Sequence, residues 1–105
     1  MIRHCVFIRF KSDTPPLVKT EIYRSIAALK SRLGGMLAVH AGQNVSPETG
    51  MDKGYTYGFV IDFDDDVSRD VYLEDAEHKE IGARIVAHAE GGVEGVLVFD
   101  LDMKP

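Results

Sequence analysis

The chain carries more apolar strand surface than its own helices can cover, and this imbalance restricts its fold more than any other feature. Four runs alternate with the period of two that points successive β-strand side chains to opposite faces, and each keeps apolar groups near the middle of both faces. Only two helical regions lie between them. Two helices blanket one face of a four-stranded sheet, so the second apolar face requires another layer. The expected solution is a homodimer formed through that sheet face.

Residues 2–10 place Ile2, His4, Val6, Ile8 and Phe10 opposite Arg3, Cys5, Phe7 and Arg9. Ser12-Asp13-Thr14-Pro15-Pro16 reads as a helix start, a capping side chain followed by prolines suited to the first turn. Val18, Ile22, Ile26, Leu29 and Leu33 recur at helical spacing and predict a helix to about Leu33, ended by Gly34-Gly35. Met36 to Val45 reads as a weaker strand, with Leu37, Val39 and Ala41 alternating against Ala38, His40 and Gly42. Pro47, Gly50 and Gly54 mark an exposed loop. Tyr55 to Phe63 has the strongest strand pattern, with Tyr57, Phe59, Ile61 and Phe63 opposed to Gly58, Val60 and Asp62.

Asp64-Asp65-Asp66 suits the positive end of a second helical region, and the cap reading of these acids is preferred to a cation site because no calcium-loop spacing accompanies them. Val67 to Leu73 predicts a short helix, Glu74-Asp75-Ala76 an interruption, and Glu77 to about Ala89 a further helix bearing Ile81, Ile85 and His88. Gly91-Gly92 stops it. Val93 to Leu101 is the last strand, with Leu97, Phe99 and Leu101 opposed to Val96 and Val98. The order β-α-β-β-α-β predicts an α+β, ferredoxin-like antiparallel sheet with both crossover helices on one face, in a single domain over residues 1–105.

A chain of 105 residues builds one core. The net charge of −5 speaks against a nucleic-acid surface, which would show clustered Lys and Arg. No apolar stretch approaches the ~20 residues that cross a bilayer, so no membrane partner is expected. The amino-terminal residues run straight into a strand pattern without a signal-peptide core, which makes the cytoplasm the expected compartment. His4, His40, His78 and His88 have no zinc spacing, and the one cysteine, Cys5, excludes an internal disulfide. No metal and no cofactor are expected.

Several segments resemble the stress-responsive dimeric α/β-barrel (Dabb) family: Arg3 to Lys11, Gly42 to Pro47, Tyr55 to Phe63, Tyr72 through His78, and Val96 to Asp100. The resemblance spans nearly the whole chain in matching order. It implies two ferredoxin-like subunits packed sheet to sheet as a barrel. The family includes the plant olivetolic acid cyclase, which closes a linear polyketide by aldol condensation without metal or cofactor, using a histidine and a tyrosine between helices and sheet. Carried over, the tyrosine falls on Tyr72, the histidine on His78 and a second pocket histidine on His4. Val6, Ile8, Ile22, Ile26, Phe59 and Val98 are the implied walls. Members often carry His-Pro-Ala-His where this chain has Asp75-Ala76-Glu77-His78, and Ile22 and Ile26 replace aromatic positions of the cyclase.

On this reading His78 abstracts a proton beside a carbonyl, since an unperturbed imidazole titrates near ~6.5. Tyr72 steadies the oxyanion and His4 orients the substrate. Six residues on a continuous helix differ by roughly 120°, so Tyr72 and His78 can meet only if the helix breaks at residues 74–76. Tyr57 and Phe59, two apart on one strand face, extend the apolar lining. The expected function is a cofactor-independent enzyme acting on a small carbonyl or polyketide-like compound. The alternatives are a non-catalytic stress-associated protein that binds a small hydrophobic ligand, with structural histidines, and a cofactor-free enzyme resembling quinol monooxygenases.

Overall fold

At the centre of the sheet lies β1 (Ile2–Ile8), paired on one side with β3 (Tyr57–Phe63) and on the other with β4 (Val96–Asp102). The far edge is β2 (Met36–Gln43), which pairs with β3. The computed structural model describes residues 1–104, and within them the four strands form one antiparallel sheet in the order β2-β3-β1-β4. The single-domain expectation extended to Pro105, which lies outside the described residues. Three α-helices pack on one face: α1 (Pro16–Ala28), α2 (Asp66–Glu74) and α3 (Ala76–His88). The architecture is the ferredoxin-like α+β fold read from the order of patterns. Among the described residues no helix is long and apolar enough to cross a membrane.

The helix-covered face holds the core. Ile8, Ile22, Ile61, Phe63 and Tyr72 have no exposed surface, and Ile26 and Leu29 almost none. Burying such a side chain stabilises the fold by about 1.5–3 kcal/mol. The opposite face is still apolar at its surface: Phe7 is 36 % exposed, Leu97 44 %, Phe99 56 % and Leu101 44 %. Arg3 and Asp62, side by side in the register of β1 and β3, pair on this face, Arg3 donating to both Asp62 oxygens at 2.8 and 3.1 Å.

Local departures from the sequence expectations have physical causes. Pro15 takes the cap position of α1 without a side-chain cap, because Thr14 is buried and turns its hydroxyl to the His88 carbonyl at 3.4 Å. The α1 helix tightens into a 3-10 turn over Leu29–Ser31, short of Leu33, although Leu33 stays buried. A bulge between Met36 and Ala38 takes Leu37 out of phase with Val39 and Ala41, leaving it 50 % exposed. The β1 ladder stops at Ile8, with Phe10 bridging to Ala89 alone. The β3 strand starts at Tyr57, and β4 at Val96, after a 3-10 turn over Gly92–Gly95. The aspartate run does cap a helix: Asp65 accepts the Ser68 N–H at 2.8 Å.

Candidate active site

The interruption between α2 and α3 is one residue wide. Asp75 has extended backbone (φ −65°, ψ 133°), and its N–H still donates to the Tyr72 carbonyl at 3.1 Å. Its carboxylate accepts the His78 N–H at 3.1 Å and so caps α3. The chain therefore leaves one helix and enters another in a new direction. Tyr72 and His78 meet as a result, their ring centroids 4.1 Å apart and tilted by 43°. Arg32, beyond the end of α1, braces this turn by donating to Asp75 at 2.8 Å and lying 3.1 Å from Glu77. The Arg32 hydrogen bond, with help from the capped backbone, lowers the Asp75 carboxyl to about 2.

His4 approaches from the sheet. It is 3 % exposed, on the helix-facing side of β1, where the register sets it beside Asp100 on β4. Its Nδ1 is 2.6 Å from Asp100 Oδ1. Arg69 of α2 donates to the other oxygen of Asp100 at 3.1 Å. The His4 ring meets Tyr72 edge-on at 5.7 Å, so the tyrosine stands between the two histidines.

These three rings line one cleft of about 350 Å³, with Val6, Ile26, Phe59, Leu73, Ile85, Val86, Val96 and Val98 making most of its wall. That volume is in the range of small-molecule sites. Lys79 is the one cationic side chain at the lining, and it also pairs with Glu74 at 3.3 Å. Gly82 lines the cleft from the middle of α3, where an added Cβ would meet nothing within 4 Å. A mid-helix glycine is about 0.5–1 kcal/mol worse than alanine, and here its effect is room.

Two polar atoms of these lining residues are unmatched. Tyr72 Oη and His78 Nδ1 are buried and have no hydrogen-bond partner among the described residues. Leaving such a group unsatisfied costs about 1–3 kcal/mol. Burial pushes the Tyr72 phenol well above the ordinary tyrosine range, so it remains a donor. Burial pulls the His78 imidazole below the usual histidine value, against an opposing contribution from the Leu73 carbonyl, so it is neutral near pH 7. The set comprises a protonated phenol, a neutral imidazole and a second imidazole backed by a carboxylate. Chemically it can take a proton and hold a developing oxyanion.

The cleft gathers His4, Tyr72, His78, Val6, Ile26, Phe59 and Val98 from the residues singled out in the sequence. Ile8 and Ile22 lie in the core and are not part of its lining. Tyr57 packs edge-on against Phe10 at 5.6 Å and lines a separate, more open hollow of about 380 Å³ with Phe7, His40 and Tyr55. The sequence reading passed over Asp100, Arg69 and Gly82. Asp100 left a trace, because it shares its strand face with Val96 and Val98, where an acid is out of place. Arg69 left none. Among the described residues no group of three His, Cys, Asp or Glu side chains is placed to hold a metal ion.

The family model for the stress-responsive A/B barrel domain (Dabb) matches residues 2–103. No curated protein matches the chain. A dimeric ferredoxin-like protein of unknown function from Jannaschia sp. CCS1 is 26% identical, over 97% of this chain and 98% of that one, with a TM-score of 0.90. A protein from Arabidopsis thaliana is 25% identical, over 100% of this chain and 97% of that one, with a TM-score of 0.86. The hydroxynitrile lyase from Passiflora edulis shares the fold at 17% identity, over 98% and 94% of the two chains, with a TM-score of 0.80.

Proposed function

The chain belongs to the stress-responsive A/B barrel domain family, and from that premise we propose a cytoplasmic homodimer whose cleft is the active site of a cofactor-independent enzyme. Its substrate is a small carbonyl or polyketide-like compound. The observation that carries this reading is the pair of unmatched buried atoms, Tyr72 Oη and His78 Nδ1, at the wall of an apolar cleft. A ligand oxygen accepting from Tyr72 and a polar hydrogen meeting His78 would satisfy both. The chemistry is proton transfer from the carbon beside a carbonyl to an imidazole, with the C–H electron pair moving into an enolate whose oxygen Tyr72 holds. The enolate carbon then attacks a second carbonyl, and the new alkoxide takes the proton back. A protein of the same fold is a hydroxynitrile lyase, so this architecture supports lyase chemistry elsewhere.

The homodimer rests on the exposed apolar sheet face bearing Phe7, Leu97, Phe99 and Leu101. Three solved neighbours of this fold are described as dimeric, which supports it.

The predominance of apolar side chains in the cleft also favours a second reading, a binding protein for a hydrophobic metabolite. A screen of small aromatic and β-keto compounds against the parent and His78→Ala separates the two. Turnover by the parent that the variant loses supports the enzyme. Binding without turnover supports the binding protein, and equal binding and equal turnover in both would end the assignment of His78.

A further inference from the structure

Two imidazoles face the cleft, and their surroundings differ in what they offer a proton. A buried imidazolium needs a compensating charge close by. The His4 ring has one, since its Nδ1 lies 2.6 Å from Asp100 Oδ1. The His78 ring has none. Asp75, the cap of α3, is engaged by the His78 backbone N–H and by Arg32, and His78 Nδ1 is buried without a hydrogen-bond partner among the described residues. Burial opposes a charge on His78 most strongly, and His4 and Lys79 add to it, against the Leu73 carbonyl and Asp75, which favour the charge.

We propose that His4, aligned by Asp100 and Arg69, is the group that receives the substrate proton, while His78 acts as a neutral hydrogen-bonding partner. The inference rests on the enzyme reading of the cleft and reassigns the role that the resemblance gave to His78. A carboxylate on Nδ1 holds the ring in the tautomer with hydrogen on Nδ1, which leaves the Nε2 lone pair on the opposite side of the ring for the cleft. The substrate C–H bond breaks, its proton goes to Nε2, and its electron pair passes to the carbonyl oxygen held by Tyr72.

Asp100 and Arg69 are positioning residues. Asp100 sits on the edge strand β4 and is partly open to solvent, so its carboxylate needs a second hold to keep Oδ1 on His4. Arg69 supplies it at Oδ2, and Asp70 steadies Arg69 in turn at 3.1 Å. Arg69 and Tyr72 are three apart on α2, so one face of that helix delivers both the brace and the phenol to His4.

Nitrogen-15 NMR of the imidazoles in the full chain, without ligand, tests this directly. In the parent, His4 is expected with hydrogen on Nδ1 and a bare Nε2. Asp100→Asn is expected to redistribute the tautomer and, on any compound the parent turns over, to lower kcat about 100-fold with little change in KM. Arg69→Gln is expected to move the tautomer part of the way and Arg69→Lys to restore it. The Arg69 pair keeps the test should Asp100→Asn fail to fold. A parent His4 carrying its hydrogen on Nε2, or an Asp100→Asn variant that leaves tautomer and kcat unmoved, overturns the relay. The expected tautomer in a protein that turns over nothing in the screen sinks the enzyme reading instead.

Discussion

The carboxylate of Asp75 accepts the backbone N–H of His78 at 3.1 Å, and through this bond one helix ends and the next begins. The turn it makes brings the His78 ring to within 4.1 Å of Tyr72. Everything the cleft can do with these two side chains depends on a residue that does not line it.

Asp75→Ala removes the cap of α3 and one of the two acidic partners of Arg32 together. Its urea midpoint is expected to fall below that of Asp75→Asn, which keeps an acceptor oxygen. Turnover is expected to drop about 100-fold, the size of effect that a ~1 Å misplacement produces. Equal midpoints and equal rates in the two variants would show that the turn holds without the cap.

Acid should weaken the same turn. Arg32 holds the Asp75 carboxyl at about 2 in the fold, below the ~3.9 of an unfolded chain. The ionised carboxylate therefore stabilises the fold fully above about pH 4, and that contribution is lost as pH falls toward about 2. The stability gap between the parent and Asp75→Asn, from urea unfolding, is expected to narrow from near neutral pH to near pH 2. A constant gap would refute it.

Tyr72→Phe separates stability from function. The hydroxyl is buried and unpartnered, so its removal is expected to leave stability unchanged or raise it by about 1 kcal/mol. Losing the oxyanion donor is expected to lower kcat about 100-fold. Thermal unfolding beside steady-state rates decides the matter, and a strongly destabilised variant would mean that the hydroxyl has a partner in solution.

On the open sheet face, Val60 lies beside Cys5 in the register of β3 and β1. Val60→Asp puts a charge there, and burying it unpaired in a sheet-to-sheet contact would cost several kcal/mol. Sedimentation at micromolar protein is expected to show monomer or unfolded chain. A soluble, unchanged dimer would place the interface elsewhere.

Gly82 offers a graded test of the cleft. Gly82→Ala is expected to stabilise α3 by about 0.5–1 kcal/mol with little effect on a ligand, since its Cβ would meet nothing within 4 Å. Gly82→Phe is expected to fill the cavity and abolish binding. Calorimetric titration with any compound from the screen checks both, and undiminished binding to Gly82→Phe would move the site.

Much of the fold was legible because period-two and helical spacing are local properties of the chain. Ile2 to Phe10 and Tyr57 to Phe63 announced their faces correctly, and Glu74-Asp75-Ala76 announced a break. The bulge at Leu37 was not legible, because an extra residue in a strand leaves the composition unchanged and shifts only the phase. The capping of α1 was misread because Thr14 answers to His88, 74 residues away, and not to its own helix.

The candidate site divides in the same way. Tyr72, His78 and His4 were named from the resemblance, but their distances were not. Asp100 is 96 residues from His4, and only the pairing register of β1 and β4 sets them side by side. Arg69 depends further on how α2 crosses that edge of the sheet.

The amino-acid order alone determined the number of strands and helices, which faces are apolar, and that one of those faces exceeds what the helices cover, since each follows from neighbours a few residues apart. Which polar groups meet was decided only by tertiary structure. Hydrogen bonds act over about 3 Å, and strand register and helix direction, not sequence spacing, bring His4, Asp100 and Arg69 within that reach.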